Sequence, residues 1–374
     1  MRSESISLKD AQRLIFSSQK LSGEKLDPIQ IIEHLGYVQI DAISVVERAH
    51  HHVIWTRNHA YRAEMLDSLV NSRKIFEYWS HAASYIPMKD YRYSLPIKNS
   101  FKNKSDSWCP RDAKLMAAIK KRIKNEGPLL SKDFKNTKTK NSTGWWDWKP
   151  AKMALERLFL EGHLEITRRD GFQKVYDLPE NVIPGSIDTS TPTPKEFTRF
   201  LIQRTLRNYG LAVAEEIAYL GTAAVKADII RVLEEMLEAG EIIKMSVEGL
   251  NKPYYMFPSA LENLPRIKSE IVIMSPFDSL VIQRKRLLAF FNFNYQIECY
   301  VPVKKRKYGY FCLPVFMGAL PIARIDCKAD RKNQNLNINS IHHEKNTNRK
   351  FPKDKLESKL RLFAKFNQCK SICR

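Results

Sequence analysis

Leu155-Glu-Arg-Leu-Phe-Leu-Glu-Gly162 and Leu233-Glu-Glu-Met-Leu-Glu-Ala-Gly240 align without a gap at an offset of 78 residues. The same offset carries Lys174-Val-Tyr-Asp-Leu178 onto Lys252-Pro-Tyr-Tyr-Met256. In both copies the apolar side chains recur at i, i+3 and i+4, which gathers them on one face of an amphipathic helix. Gly162 and Gly240 supply the left-handed residue that closes such a helix. Each copy then runs into two short apolar segments, around 164–166 and 174–178 or around 242–245 and 254–257. Gly171 and Gly249 lie in the polar turns between them, as hairpins require. Helices followed by a hairpin describe a winged helix. The two copies span 111–180 and 195–260, joined by the Pro- and Thr-rich stretch 179–194.

The first 110 residues fit the same plan, with helices near 8–20 and 27–35, a strand at Tyr37, and a further helix at 60–79. From about 270 the texture becomes β-rich. Short runs at 271–274, 280–283, 296–300, 308–313 and 322–326 are separated by turns at Ser275-Pro276, Pro302 and Pro321. The reading is an α+β chain: three tandem winged-helix modules (1–110, 111–180, 195–260) followed by a small β-barrel-like domain over 270–374. Residues 330–355 read as a loop, and 355–366 have helical periodicity.

Chemistry concentrates at Tyr37-Val-Gln-Ile-Asp-Ala-Ile-Ser-Val-Val-Glu-Arg-Ala-His-His-His-Val-Ile-Trp-Thr-Arg57. Period-two alternation there predicts a half-buried strand with Gln39 and Asp41 side by side on one face. An amide beside a carboxylate can hold a water and accept its proton. Arg48, His50, His51, His52 and Arg57 follow, all suited to phosphate oxygens. The pattern leaves two readings open: hydrolysis on nucleic acid, or a solvated strand edge followed by a polar loop. Arg48 and Arg57 are phosphate clamps or, in the bland reading, partners of Glu47 or Asp67. The three histidines contact phosphate or backbone, or are structural; zinc is disfavoured because no Cys or Glu completes a ligand set.

The 374 residues carry a net charge of +21. Residues 281–374 hold 21 basic and 6 acidic side chains, residues 101–140 hold 12 and 4, and the remainder is near neutral. Two basic blocks on a neutral body form a footprint for a polyanion. The clusters Arg284-Lys285-Arg286 and Lys304-Lys305-Arg306-Lys307, the latter followed by Tyr308, Tyr310 and Phe311, interleave cations with aromatics, as nucleic-acid contact requires. A solvated charge run is the alternative. Residues 211–250 hold 3 basic and 8 acidic side chains, including Glu234, Glu235 and Glu238, so phosphates would repel the third copy's last helix. That copy reads as scaffold, which weakens a transcription-factor assignment. Trp145, Trp146 and Trp148 either stack on bases or pack the second module.

The six cysteines form no CxxC pair, the first residues lack the apolar core of a signal peptide, and no apolar run spans a bilayer. A cytoplasmic, nucleoid-associated protein, monomeric and without metal or cofactor, is the expectation.

Gln39-Ile-Asp41, Ile43-Ser-Val-Val-Glu-Arg-Ala-His-His51, Ser275-Pro-Phe-Asp-Ser-Leu280 with Arg284 and Arg286, Lys307-Tyr-Gly-Tyr310 and Asp326-Cys-Lys-Ala-Asp-Arg331 together resemble the tandem winged-helix DNA glycosylases of YcaQ/AlkZ type. The likeness spans nearly the whole chain. The family's catalytic signature is Gln, an apolar residue, then Gln or Asp; the Asp here is similar to the YcaQ branch. The resemblance implies a monofunctional DNA glycosylase that removes cationic N7-alkylpurines from double-stranded DNA and unhooks interstrand crosslinks. It assigns the chemistry to Asp41 and Gln39. Asp278 is either a second acid or a structural carboxylate holding Arg284 or Arg286. Two competing classes remain: a non-enzymatic winged-helix regulator, and a metal-dependent nuclease, which the scarcity of clustered carboxylates disfavours.

Overall fold

A computed structural model describes residues 5–23, 26–103, 111–134, 150–262, 264, 266–345 and 352–374. The α+β chain divides into two compact units, Met1–Arg62 with Thr198–Arg374, and Ala63–Phe197. The first 110 residues therefore do not form one serial module, because they contribute to both units. Trp145, Trp146, Trp148 and Cys109 lie outside the described residues. No helix among the described residues is long and apolar enough to cross a membrane.

In the first unit, helix Leu8–Ser18 starts at Ser7, whose hydroxyl accepts the Asp10 N–H at 3.1 Å. Helix Pro28–Leu35 opens with proline in its first turn and a capping box between Asp27 and Gln30, and stops at left-handed Gly36. A two-residue strand, Val38–Gln39, follows, then helix Ala49–Arg57. Farther along come Leu211–Ala212, helix Ala223–Glu238 and the hairpin Ile243–Val247 with Pro253–Met256. Ile229, Val232, Leu233 and Met236 are fully buried, which is the i, i+3, i+4, i+7 stripe the sequence shows. Ser5–Ile6 adds a parallel strand to the outer edge of that hairpin, and Leu211–Ala212 an antiparallel one to the other.

The C-terminal sheet has the order Ile271–Ile273, Cys312–Met317, Leu320–Asp330, Asn335–His343, Ser371–Cys373. It is antiparallel except for its last pair. Register shifts at Val315/Phe316 and Asp326/Cys327 bend it into a half-barrel that stays open at both edges. Helix Lys353–Phe366 buries Leu356, Leu360, Phe363 and Ala364. Residues from helix Leu8–Ser18, the hairpin, this sheet and helix Arg284–Phe291 share one core, including Leu14, Ile15, Met256, Met274 just past Ile273, Phe290 and Phe316.

Several expected elements differ. Leu280–Gln283 is not a strand: Asp278 accepts the Leu280 N–H at 3.0 Å and caps helix Ser279–Ile282, which leads into helix Arg284–Phe291. No strand forms over 296–300, the next begins at Cys312, and the expected 330–355 loop contains strand Asn335–His343. Asn and His disguise that strand, yet Leu336 and Ile338 alternate into the core.

The second unit opens with helix Ala63–Asn71 and the hairpin Ile75–Trp79 with Ala83–Pro87. The helix expected over 60–79 therefore ends eight residues early, where Ile75-Phe-Glu-Tyr-Trp79 follows strand propensity instead. Helix Ala113–Glu126, strand Leu129–Leu130, helix Pro150–Leu160 and the hairpin Glu165–Asp170 with Gln173–Asp177 then run in the same order as helix Pro194–Tyr209, strand Leu211–Ala212, helix Ala223–Glu238 and the hairpin Ile243–Val247 with Pro253–Met256. Gly162 and Gly240 take positive φ, at 75° and 71°, as helix-closing residues should. Lys98 is buried against Glu165 and Tyr91, which balances a charge inside this unit.

One buried ion pair organises the first unit. Arg57 bonds both Asp278 oxygens, at 2.7 and 3.0 Å, and also donates to Gln19 O at 2.8 Å and Val53 O at 2.9 Å. Both side chains are fully inaccessible. Arg57→Gln leaves an uncompensated buried carboxylate, so urea unfolding should show a loss of about 3–5 kcal/mol. The Arg57→Met, Asp278→Leu pair should recover most of it.

Candidate active site and nucleic-acid interface

Strand pairing stops at Gln39, so Asp41 stands just beyond the strand rather than on it. Gln39 is buried, whereas Asp41 is only half-buried. The Ile43 N–H donates to Asp41 Oδ1 at 2.8 Å, a local turn that fixes the carboxyl. Partial burial pushes the Asp41 carboxyl above its ordinary range, and the Ile43 bond offsets this in part. The residues that follow are held on the C-terminal sheet and its helix. Ala329 N–H donates to Val45 O at 2.8 Å, Arg331 to Ser44 O at 3.2 Å, and Glu47 N–H to Asn367 Oδ1 at 2.6 Å.

Within the segment between helix Arg284–Phe291 and strand Cys312–Met317, Cys299 and Tyr300 feel the charge of this carboxyl. Burial raises the Cys299 thiol and the Tyr300 phenol, and the Asp41 charge raises both further, so both lie within its electrostatic reach. The segment has little regular structure but is well held. Glu298 accepts the N–H groups of Lys307, Tyr308 and Gly309, at 3.0, 2.8 and 3.1 Å. These bonds outweigh burial and hold its carboxyl below the usual range. Arg306 donates to Val301 O at 2.9 Å and lies 4.9 Å from the centre of the Tyr310 ring. Gly309 has φ +139°, and a Cβ there would collide with the Asp326 carboxyl. Asp326 in turn accepts the Phe311 N–H at 3.2 Å and the Asn339 amide at 3.1 Å. The two C-terminal motifs noted in the sequence thus meet: the glycine in Lys307-Tyr-Gly-Tyr310 lets the chain pass over the first residue of Asp326-Cys-Lys-Ala-Asp-Arg331. Lys304, Lys305 and Lys307 are exposed.

Of the residues singled out in the sequence, Asp41 lies within electrostatic reach of Cys299 and Tyr300, just ahead of the basic run. The structure does not bring Arg57 or Arg286 to a DNA surface. Arg57 is spent on Asp278, which therefore holds neither Arg284 nor Arg286. Arg286 is buried against Glu216 at 2.7 Å and Tyr209 O at 3.0 Å. Arg284 is half-buried, donating to Val281 O and to Pro276 O, with its guanidinium 5.0 Å from the Tyr295 ring centre. The histidines sit on helix Ala49–Arg57, not on an extended chain. His50 is buried, His51 Nδ1 pairs with the Tyr61 hydroxyl at 2.7 Å, and His52 Nε2 reaches Ile273 O at 3.0 Å. Arg48 marks the start of that helix and is half-buried. The Tyr308 ring packs against the Arg324 guanidinium at 4.1 Å and His342 at 5.2 Å, which leaves the exposed aromatic surface to Tyr300 and Tyr310. Sequence alone does not single out Tyr300, because its surroundings read as a strand; the lysine run beginning four residues later is the usable signal.

The family model described as DNA glycosylase AlkZ-like matches residues 32–366. The chain belongs to the AlkZ-like DNA glycosylase family. Its members act on DNA, and this chain is a DNA N-glycosylase. Among solved structures, the DNA glycosylase AlkZ of Streptomyces sahachiroi is similar at a TM-score of 0.67 and 15% identity, covering 99% of each chain. That likeness establishes a shared fold. Within it, Gly309→Ala should cost about 1–3 kcal/mol in thermal unfolding, through strain at positive φ and the Asp326 clash. DNA affinity should fall alongside, since the same turn presents Lys307.

Proposed function

We propose that the chain is a monofunctional DNA glycosylase that hydrolyses the N-glycosidic bond of cationic N7-alkylpurines and unhooks interstrand crosslinks built on them. The observation that carries this reading is the half-buried Asp41 carboxyl, fixed by Ile43 and within electrostatic reach of Tyr300, which precedes the run of cations and aromatics in sequence. Alkylation at N7 places positive charge on the base, so the base departs readily and little acid catalysis is needed there. What remains is to stabilise an oxocarbenium-like sugar and to deliver water to its anomeric carbon. Asp41 suits both tasks, because its charge opposes the charge that develops and its oxygen can take the proton of the water. Gln39, two residues away, is assigned the role of orienting that water or the sugar through its amide.

A crosslinked base stays tethered to the opposite strand and cannot swing into a deep pocket. The partial exposure of Asp41 fits such a substrate. In this reading the helix–strand–helix–hairpin units over 111–180 and 195–260 are winged-helix modules that support a monomeric enzyme on double-stranded DNA. Lys304, Lys305 and Lys307 are assigned to phosphates. Arg48 is the remaining candidate from the N-terminal segment.

Asp41→Asn keeps the acceptor for Ile43 and removes the charge. Excision of N7-methylguanine should fall by about 10²–10⁴-fold, while affinity for the same duplex stays within about twofold of wild type. Equal losses in binding and excision would speak against a catalytic role. The pH dependence has a definite sign. The working form is the carboxylate, so kcat/KM should fall with decreasing pH along a limb centred above 3.8, the ordinary Asp value. A raised folded-state pKa also means that stability from this group is present at low pH and lost as pH rises through that pKa. Asp41→Asn should accordingly keep or raise Tm at neutral pH. Replacing Lys304, Lys305 and Lys307 together by Ala should lower the salt slope of DNA binding by about 2–3, near 0.9 for each phosphate no longer neutralised.

A further inference from the structure

Tyr300, Val303 and Tyr310 are 74%, 73% and 41% exposed. They fall within eleven residues that also contain Lys304, Lys305, Arg306 and Lys307. Among the described residues, the other large exposed apolar side chains of the first unit, Leu220, Ile230, Leu288 and Leu362, are single and far apart in sequence. Although Leu288 and Leu362 have cations nearby, neither has a second exposed apolar side chain beside it. Apolar surface held out in water beside cations marks a recognition site.

The backbone that carries these side chains is fixed by Glu298 and by the Arg306 bond to Val301 O. The Tyr310 ring is steadied by the Arg306 guanidinium. Rigid apolar side chains beside phosphate-binding lysines have the composition of elements that push between base steps. An aromatic face in the same place can stack on any base.

We propose that Tyr300 and Val303 form a wedge that enters the duplex at the damaged nucleotide, with Tyr310 as the surface on which the loosened base stacks. The wedge parts the lesion from its neighbour without extruding it, and so opens the anomeric carbon to Asp41. Lys304, Lys305 and Lys307 hold the flanking phosphates while it enters. This inference rests on the glycosylase reading above and adds to it a duplex-opening step and the residues that perform it.

The test uses full-length protein and a duplex carrying one N7-methylguanine next to 2-aminopurine, whose fluorescence rises on unstacking. Binding is followed in the Asp41→Asn background so that excision contributes nothing to the signal. That protein should raise the fluorescence several-fold, and adding Tyr300→Ala with Val303→Ala should remove most of the rise. Tyr300→Trp should preserve it. With Asp41 intact, the double alanine variant should lose at least tenfold more excision rate on duplex than on the same lesion in single-stranded DNA, where no step needs opening. An undiminished fluorescence rise, or equal losses on the two substrates, overturns the wedge. Failure of the wild-type protein to excise N7-methylguanine from either substrate instead removes the N7-alkylpurine reading, and the fluorescence change still judges the wedge.

Discussion

The Arg57–Asp278 pair joins residues 221 positions apart, and much of the first unit is arranged around it. Arg57 closes the helix that follows the Asp41 loop, and Asp278 caps the helix that precedes the basic segment. Gln19 accepts from Arg57 and also from the Ser279 hydroxyl, at 2.6 Å, so the end of helix Leu8–Ser18 enters the same network. Full desolvation makes the pair intolerant of losing one member, even though its net contribution against an apolar replacement is small. Its value is positional. It fixes the register between the chain segments that carry the candidate acid and the candidate DNA-contacting residues, which no local propensity could do.

The helices and hairpins legible in the sequence are those whose pattern is complete within a short window. Leu155–Gly162 and Leu233–Gly240 carry periodicity, closing glycine and following strands together, and both become helix and hairpin where expected. Ser279–Ile282 misleads because its helix depends on a cap from Asp278, a residue whose second role lies with distant Arg57. Asn335–His343 misleads because its pairing with Leu320–Asp330 supplies what its own residues lack. The division into two units is invisible for a similar reason. It depends on residues 1–62 packing with a segment more than 130 positions away.

At the site, Gln39 and Asp41 stand out through chemistry rather than structure: an amide and a carboxylate two apart followed by a run of basic residues. The sequence misleads where every arginine nearby looks available to phosphate. Arg57 and Arg286 answer two carboxylates, fully buried Asp278 and half-buried Glu216, and sequence alone does not reveal which cation a distant acid will claim. Lysines are a safer guide, because an ammonium loses more hydration on burial than a guanidinium does. Lys304, Lys305 and Lys307 are exposed accordingly, although Lys98 shows that a lysine can be buried when Glu165 and Tyr91 are there to receive it.

A catalytic anion inside a DNA-binding surface poses an electrostatic conflict. Cations that attract phosphate also stabilise a nearby carboxylate, which weakens it as a base and blunts its charge against the oxocarbenium-like sugar. Here the conflict is resolved by placement. The shift of Asp41 comes from partial burial and the Ile43 hydrogen bond, and burial prevails. The lysines are exposed to water and salt, which weaken their field, and none of them is among the causes of the Asp41 shift. They remain effective toward a polyanion because phosphate binding draws on many such charges and on counterion release. Arg306 lies over Tyr310 and bonds Val301 O. The segment can therefore present strong positive charge to DNA while Asp41 keeps the basicity that hydrolysis of a cationic nucleotide demands.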